Sequence, residues 1–202
     1  MMVTAVERLD KKRSRVLFDQ DLALVLYPQD LRQFSLAEGS ELSEEAYERL
    51  LGQVLKPRAR ERLLKTLMIS DKTERELIDL LHREGYPQEV VEDAVGMVKK
   101  HHYIDDEAYG SRYVQPQGKK KSRSQLIFAM QKKGFSRELI DELLEEHPVN
   151  EEEQMEKYLA QKGIDTGENL SREEYRKLAA KLARKGYSYE AISRVLRGPS
   201  LF

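Results

Sequence analysis

The sequence predicts a mainly α-helical protein, in which three tandem three-helix repeats form an elongated curved array behind a small N-terminal β-meander. Three observations predict this fold class. Apolar residues alternate with period two only near the N-terminus, as strands require. Beyond that segment, apolar residues follow helical spacing. This helical pattern then recurs three times, each time around a glycine that is followed by an aromatic residue.

The meander is expected over residues 2–27. Valine, phenylalanine and leucine alternate with other residues there, in three short runs. Polar residues at 10–12 and 19–21 separate the runs and predict the two turns. The segment is long enough for three strands of ordinary length.

Two short helices complete the N-terminal segment 1–57. One is expected around 28–36, and the other over 43–55 with Ser43 as its N-cap. Lys56-Pro57 predicts a break at the end of the second helix, because proline disrupts a helix interior.

Three repeats follow, at 58–104, 105–148 and 149–202. Each carries a glycine that is expected to end its second helix in the left-handed conformation. The following aromatic is expected to pack in the core rather than to stack on a nucleic-acid base. These pairs are Gly85-Tyr86, Gly134-Phe135 and Gly186-Tyr187.

Capping residues recur with the repeats. A capping box is expected at the start of each second helix, because a hydroxyl residue is followed three residues later by Glu or Gln. The pairs are Thr73 with Glu76, Ser122 with Gln125, and Ser171 with Glu174. The third helices are expected to begin after Pro87, Ser136 and Ser188, and the first helices to span 58–69, 105–114 and 150–162.

In this order the motifs resemble the RecX family of regulatory proteins. The residues that carry the resemblance are Glu74-Arg75-Glu76-Leu77, Glu84-Gly85-Tyr86, Val90-Val91, the stretch 103–109, and Lys121-Ser122-Arg123-Ser124-Gln125-Leu126 followed by Lys133-Gly134-Phe135. The start of the chain, up to residues 39–45, is similar to an N-terminal hairpin extension that some members carry.

The resemblance implies a non-catalytic protein that modulates the RecA recombinase. Family members are built from tandem three-helix units, bind the RecA nucleoprotein filament along its groove, and mostly inhibit it. RecA is thus the implied protein partner, with single-stranded DNA as a secondary contact, in recombination, DNA repair and the SOS response. The stretch 113–118 departs from the family pattern, because Pro116 predicts a shorter first helix in the second repeat.

Charge and composition separate the function classes. The chain has 35 Lys and Arg against 36 Asp and Glu, a formal net charge of -1. Proteins that coat nucleic acid usually carry a basic excess, because phosphate neutralisation supplies most of their affinity. A mixed-charge protein partner is therefore favoured. The alternatives are a stand-alone DNA-binding helical module and a structural adaptor for another protein.

Basic stripes on two successive second helices are the candidate contacts with RecA or DNA. The loop that enters the second helix of repeat 2 also exposes backbone amides, which suit a phosphate or an acidic side chain. The candidates are Lys119, Lys120, Lys121, Arg123, Lys132 and Lys133 in repeat 2, and Lys177, Lys181, Arg184 and Lys185 in repeat 3.

No catalytic constellation, cofactor motif, metal site or small-molecule substrate site is predicted. Cysteine is absent. The acidic runs 105–107 and 151–153 are interpreted as first-turn residues that offset a helix dipole. The histidines His82, His101, His102 and His147 are interpreted as surface or helix-end residues. No membrane segment is expected, and the sequence favours a cytoplasmic monomer.

Overall fold

The chain is mainly helical and carries a small N-terminal sheet, as predicted. The computed structural model describes residues 1–19, 21–164 and 170–197. The strands are β1 (Val3–Arg8), β2 (Ser14–Phe18) and β3 (Ala23–Leu26). The α-helices are α1 (Pro28–Gln33), α2 (Glu44–Leu50), α3 (Lys56–Leu67), α4 (Glu74–Arg83), α5 (Gln88–Lys100), α6 (Asp106–Gln117), α7 (Arg123–Lys133), α8 (Arg137–Glu146), α9 (Glu151–Gln161), α10 (Arg172–Arg184) and α11 (Tyr189–Arg197).

The chain divides into two units, Met1–Asp105 and Asp106–Phe202. In the first unit the strands form an antiparallel sheet in the order β1-β2-β3. The turn predicted at 10–12 is confirmed, since Leu9 N–H donates to the Arg13 carbonyl across it. The turn predicted at 19–21 includes Gln20, which lies outside the described residues.

The sheet shares one hydrophobic core with the first repeat. Val16 of β2 and Leu24 of β3 are fully buried, and they belong to the same apolar cluster as Leu77 and Leu81 of α4. The alternating pattern that predicted the strands thus marks their core-facing side. The meander covers apolar surface that the first repeat would otherwise expose.

The predicted break at Lys56-Pro57 is wrong. Helix α2 continues through a π-helical turn, Leu51–Leu55, directly into α3. Lys56 N–H donates to the Leu51 carbonyl, one residue farther back than in an α-helix. A proline ring clashes with the carbonyl four residues before it in a regular helix, and the wider turn relieves that crowding ahead of Pro57.

The second unit contains two further apolar clusters, one in each helical triplet. Helices α6–α8 enclose a cluster that includes Phe135, and α9–α11 enclose one packed against Tyr187. The predicted core role of both aromatics is confirmed. Gly134 and Gly186 adopt the predicted left-handed conformation, with φ of 85° and 83°.

The predicted caps are confirmed throughout the repeats. The three capping boxes form at Thr73, Ser122 and Ser171, and both Ser136 and Ser188 accept a backbone N–H at the start of a third helix. The expected shortening at Pro116 is wrong, because α6 extends to Gln117. Proline removes one N–H donor from the helix at this position, and α6 ends one residue later. The boundaries of the repeats and their curved arrangement stay predictions.

Candidate functional site

The N-terminus of α7 is occupied by a carboxylate of the protein itself. Glu151, in the first turn of α9, accepts a hydrogen bond from Arg123 N–H at 2.9 Å. Its other oxygen accepts one from Ser188 N–H, just before α11, at 3.1 Å. One side chain therefore serves two helix N-termini, where backbone amides favour an anion. The prediction that these amides await a phosphate or an acidic partner is corrected: Glu151 fills that place at Arg123.

The loop before α7 is fastened to the third repeat. Gln154 of α9 donates to the carbonyls of Gly118 and Lys121 through its side-chain amide. The buried Ser122 hydroxyl donates to the Lys185 carbonyl at the end of α10, over 3.1 Å. Gly186 follows, and a Cβ there would lie 2.8 Å from the Ser122 hydroxyl, so only glycine fits this approach. The loop is consequently a fixed element.

This fastening brings the two predicted basic stripes together. Ser122 lies within the basic stretch from Lys119 to Arg123. Lys185 is the last residue of the basic stripe of α10, and its carbonyl accepts the hydrogen bond from Ser122. Sequence spacing alone placed these stripes in separate repeats. The contact between the start of α7 and the end of α10 makes them neighbours.

The candidates of repeat 2 differ in their surroundings. Lys119, Lys120, Arg123 and Lys132 are exposed. Lys121 is half-buried and donates to the Gln117 side chain at 2.7 Å.

Lys133 is engaged within the second repeat. Its ammonium lies over the rings of Tyr109 and Tyr113 at 5.5 and 5.4 Å from their centroids. This position holds the end of α7 against α6 and makes Lys133 a poor candidate for contacting a partner.

Two of the four candidates of repeat 3 lie beside an aromatic residue that the sequence did not single out. Lys181 and Lys185 of α10 lie 5.6 and 4.5 Å from the ring centroid of Tyr158 on α9. A hydrogen bond with Lys181, aided by both positive charges, lowers the pKa of the Tyr158 hydroxyl. Lys177 instead pairs with Glu173 at 2.7 Å, and Arg184 donates to the Ala180 carbonyl.

Phe128 is a further exposed residue that sequence reasoning missed. Its side chain is 69% exposed on the outer side of α7. It lies one turn after Ser124, which faces Gly186, and one turn before Lys132, so the three share a face. The sequence did contain a signal for this exposure, because Phe128 does not lie on the helix face that carries the apolar residues Leu126 and Met130. A large aromatic exposed among basic residues is typical of a binding anchor.

We give the name junction surface to eight side chains on α7, on the loop before it and on α10, because these elements meet where Ser122 bonds to Lys185. Its members are Lys119, Lys120, Arg123, Phe128, Lys132, Lys181, Arg184 and Lys185. Elsewhere in the described ranges, His, Asp and Glu form no group that could hold a metal ion. None of the described helices is long and apolar enough to cross a bilayer.

Known proteins share both the fold and the sequence pattern. Residues 151–196, which span α9 to α11, match the family profile described as RecX, third three-helix domain. A protein of Clostridium botulinum (strain Eklund 17B / Type B) named "Regulatory protein RecX" is 25% identical over 195 residues, covering 95% of this chain and 92% of its own. Over nearly its whole length, the chain is similar to proteins of the RecX family.

Other RecX proteins match this chain over most of its length. The "Regulatory protein RecX" of Caldanaerobacter subterraneus subsp. tengcongensis is 24% identical over 199 residues, covering 97% of this chain and 98% of its own. A crystal structure of regulatory protein RecX has a TM-score of 0.63 at 23% identity, over 98% of this chain and 99% of that one. RecX from Lactobacillus salivarius has a TM-score of 0.61 at 18% identity, over 71% and 95%. The likeness to these solved structures confirms the predicted fold class, mainly helical with a small N-terminal sheet.

Proposed function

We propose that this chain is a non-catalytic regulator of the RecX family that binds the RecA filament on single-stranded DNA and inhibits it. Its relatives carry the name regulatory protein, over nearly the whole chain. The proposal extends to recombination, DNA repair and the SOS response, in the cytoplasm, with the protein acting as a monomer. No cofactor, metal or small-molecule substrate takes part in it.

The observation that carries the proposal is the junction surface. Phe128 is exposed one turn before Lys132 on α7, and the bond from Ser122 to the Lys185 carbonyl brings the start of this helix to the basic end of α10. Pre-organised side chains lose little entropy on binding, and an aromatic anchor within a charged rim is typical of protein interfaces. Contacts by several repeats along a filament would add through multivalency. RecA is the main partner in this proposal, and single-stranded DNA is a secondary contact.

Co-sedimentation tests the proposal. The wild-type chain is spun with RecA filaments on single-stranded DNA, with single-stranded DNA alone and with duplex DNA. We expect strong binding only with the filament, and a decrease in the filament's strand-exchange rate. Equal binding to bare DNA would instead support the stand-alone DNA-binding module.

Two double variants with the same change in net charge test whether the junction surface contacts the filament. Lys120→Glu with Lys132→Glu should weaken filament binding by about tenfold, since each exposed charge contributes a modest part. Arg137→Glu with Lys100→Glu reverses two exposed cations outside the junction surface and should bind as wild type. Phe128→Ala should weaken binding without lowering the melting temperature, because the ring is exposed. A protein that ignores the filament in every form would be an adaptor for another partner.

A further inference from the structure

A cleft in the first unit combines basic walls with an apolar floor. It has a volume of about 800 Å³ and lies between the β1–β2 turn and α3. Val25, Tyr27 and Tyr86 line it, together with charged residues from the turn and the helix. Its size suits one or two side chains of a bound segment. None of its residues belongs to the junction surface.

Cations exceed anions around the cleft. The lining cations are Lys11, Lys12, Arg13, Arg58, Arg62 and Lys65, and the lining anions are Asp10, Glu61 and Glu84. Each of these anions already has a partner: Arg13 lies 2.8 Å from Asp10, Lys65 lies 2.6 Å from Glu61, and Arg62 lies 2.7 Å from Glu84.

Lys11 and Lys12 are the cations at the turn that remain available. Neither contacts a carboxylate within the described part of the chain. The Asp10 carboxylate accepts the backbone N–H groups of Lys12 and Arg13 at 2.7 and 2.8 Å, so the turn that carries these lysines is fixed. These bonds hold the pKa of Asp10 below its ordinary value. The turn is built to present two unpaired ammonium groups over the cleft.

The floor of the cleft is preformed. The Arg58 guanidinium lies 4.3 Å from the Tyr27 ring centroid and is held there by two hydrogen bonds to Asp30. Burial raises the pKa of Tyr86 to about 12, since its ring packs against the apolar cluster of the first unit. Gly85, in the left-handed conformation, packs so closely on Val25 that a Cβ would overlap that side chain. The rings therefore keep their places without a ligand.

We infer that this cleft binds an acidic segment of a protein, with carboxylates on Lys11 and Lys12 and an apolar side chain on the floor. Arg62 and Arg58 already hold carboxylates in the same manner within the protein. A nucleic-acid strand fits less well, because a phosphate backbone draws its affinity from many unpaired cations, and the described lining offers two, Lys11 and Lys12. One face of Tyr27 is moreover covered by Arg58, so the ring offers little to a stacking base.

Fluorescence anisotropy with defined peptides tests this site, in the full chain and without RecA. The probe is a labelled peptide in which glutamate alternates with leucine. We expect saturable binding of this peptide and clearly weaker binding of a peptide in which serine replaces leucine. Lys11→Glu with Lys12→Glu should weaken binding by about tenfold or more. Arg49→Glu with Lys100→Glu, two exposed cations that do not line the cleft, should leave it unchanged.

The contrary results are equally specific. Absence of saturable peptide binding would overturn the site, and so would unchanged affinity of the Lys11 and Lys12 variant. Displacement of the peptide by oligodeoxythymidylate of equal charge would assign the cleft to nucleic acid instead. Equal affinity for the serine peptide would refute the role of the apolar floor. Circular dichroism of each variant verifies the fold, which these exposed side chains do not support. Because RecA is absent, failure here is distinct from failure of the proposed function.

Discussion

At the scale of single residues, Asp30 is the most consequential charge in the first unit. Its side chain is 1% exposed, and it accepts two hydrogen bonds from Arg58 at 2.8 and 2.9 Å. A third comes from the Tyr27 N–H at the start of α1. The carboxylate thus links the first helix after the sheet to α3.

Replacing Asp30 by Asn should destabilise the protein by about 3 kcal/mol, because Arg58 would keep a largely buried charge without its partner. Urea unfolding followed by circular dichroism measures the change. Asp79→Asn is the matched control, since Asp79 pairs with Arg75 on an exposed helix face, where an ion pair contributes little. Equal effects of the two substitutions would contradict the importance given to burial.

Two glycines with nearly the same backbone conformation allow the cost of that conformation to be measured separately from the cost of a steric overlap. Gly39 and Gly85 have φ of 79° and 83°, but only Gly85 packs against another side chain, Val25. Gly39→Ala should cost about 1 kcal/mol from the left-handed backbone alone. Gly85→Ala should cost about 1–3 kcal/mol more, because the added methyl overlaps Val25. Thermal unfolding of both variants gives the difference, and equal melting temperatures would exclude the packing contribution.

The helix caps were predictable because capping partners lie close together in the sequence. Contacts between residues far apart in the sequence were not predictable. Ser122 and its partner Gln125 are three positions apart, so their capping box can be read from sequence. Glu151 bonds to Arg123 and Ser188, which are 28 and 37 positions away. No short-range pattern marks such a pairing. The sequence correctly placed Glu151 in a first turn but could not reveal which helix ends it serves.

At the scale of elements, Glu151 connects the start of α7 with the start of α11. Glu151→Ala should destabilise the second unit by about 1–2 kcal/mol, because two backbone amides lose their acceptor. Hydrogen exchange at Arg123 and Ser188 should accelerate in the same variant. Glu145→Ala, on the exposed side of α8, is the control and should alter neither quantity. Unchanged exchange at both amides would refute the connection.

Element boundaries were predictable where periodicity and caps agreed. Ser43 caps α2 as expected, and the alternating apolar residues form the three strands. Pro57 misled because proline usually ends a helix, whereas the preceding π-helical turn has no sequence signature. The basic stripes were found by helical spacing, but their adjacency depends on the long-range bond between Ser122 and Lys185.

At the scale of the whole molecule, each unit contains its own apolar clusters. The cluster of the first unit joins residues of the sheet, such as Val16, with Leu63 of α3 and Val98 of α5. All its members lie within Met1–Asp105. A fragment of those residues should therefore fold alone. We expect it to melt cooperatively and to give dispersed amide resonances that match those of the full chain. A disordered fragment would show that its core needs the second unit.

The π-helical turn between α2 and α3 has a consequence for natural and engineered length variation. Such a turn holds one residue more than the surrounding α-helix requires. Deletion of the exposed Gly52 would allow the backbone hydrogen bonds of this turn to re-form with the i to i−4 spacing of an α-helix. Because the wider turn already accommodates the extra residue, α2 and α3 would keep nearly their present orientation and the buried Leu50 would still face the core. Deletion of Gly52 should therefore lower the melting temperature far less than deletion of Glu61 within the regular helix α3, which would rotate the residues on its two sides by about 100° relative to each other.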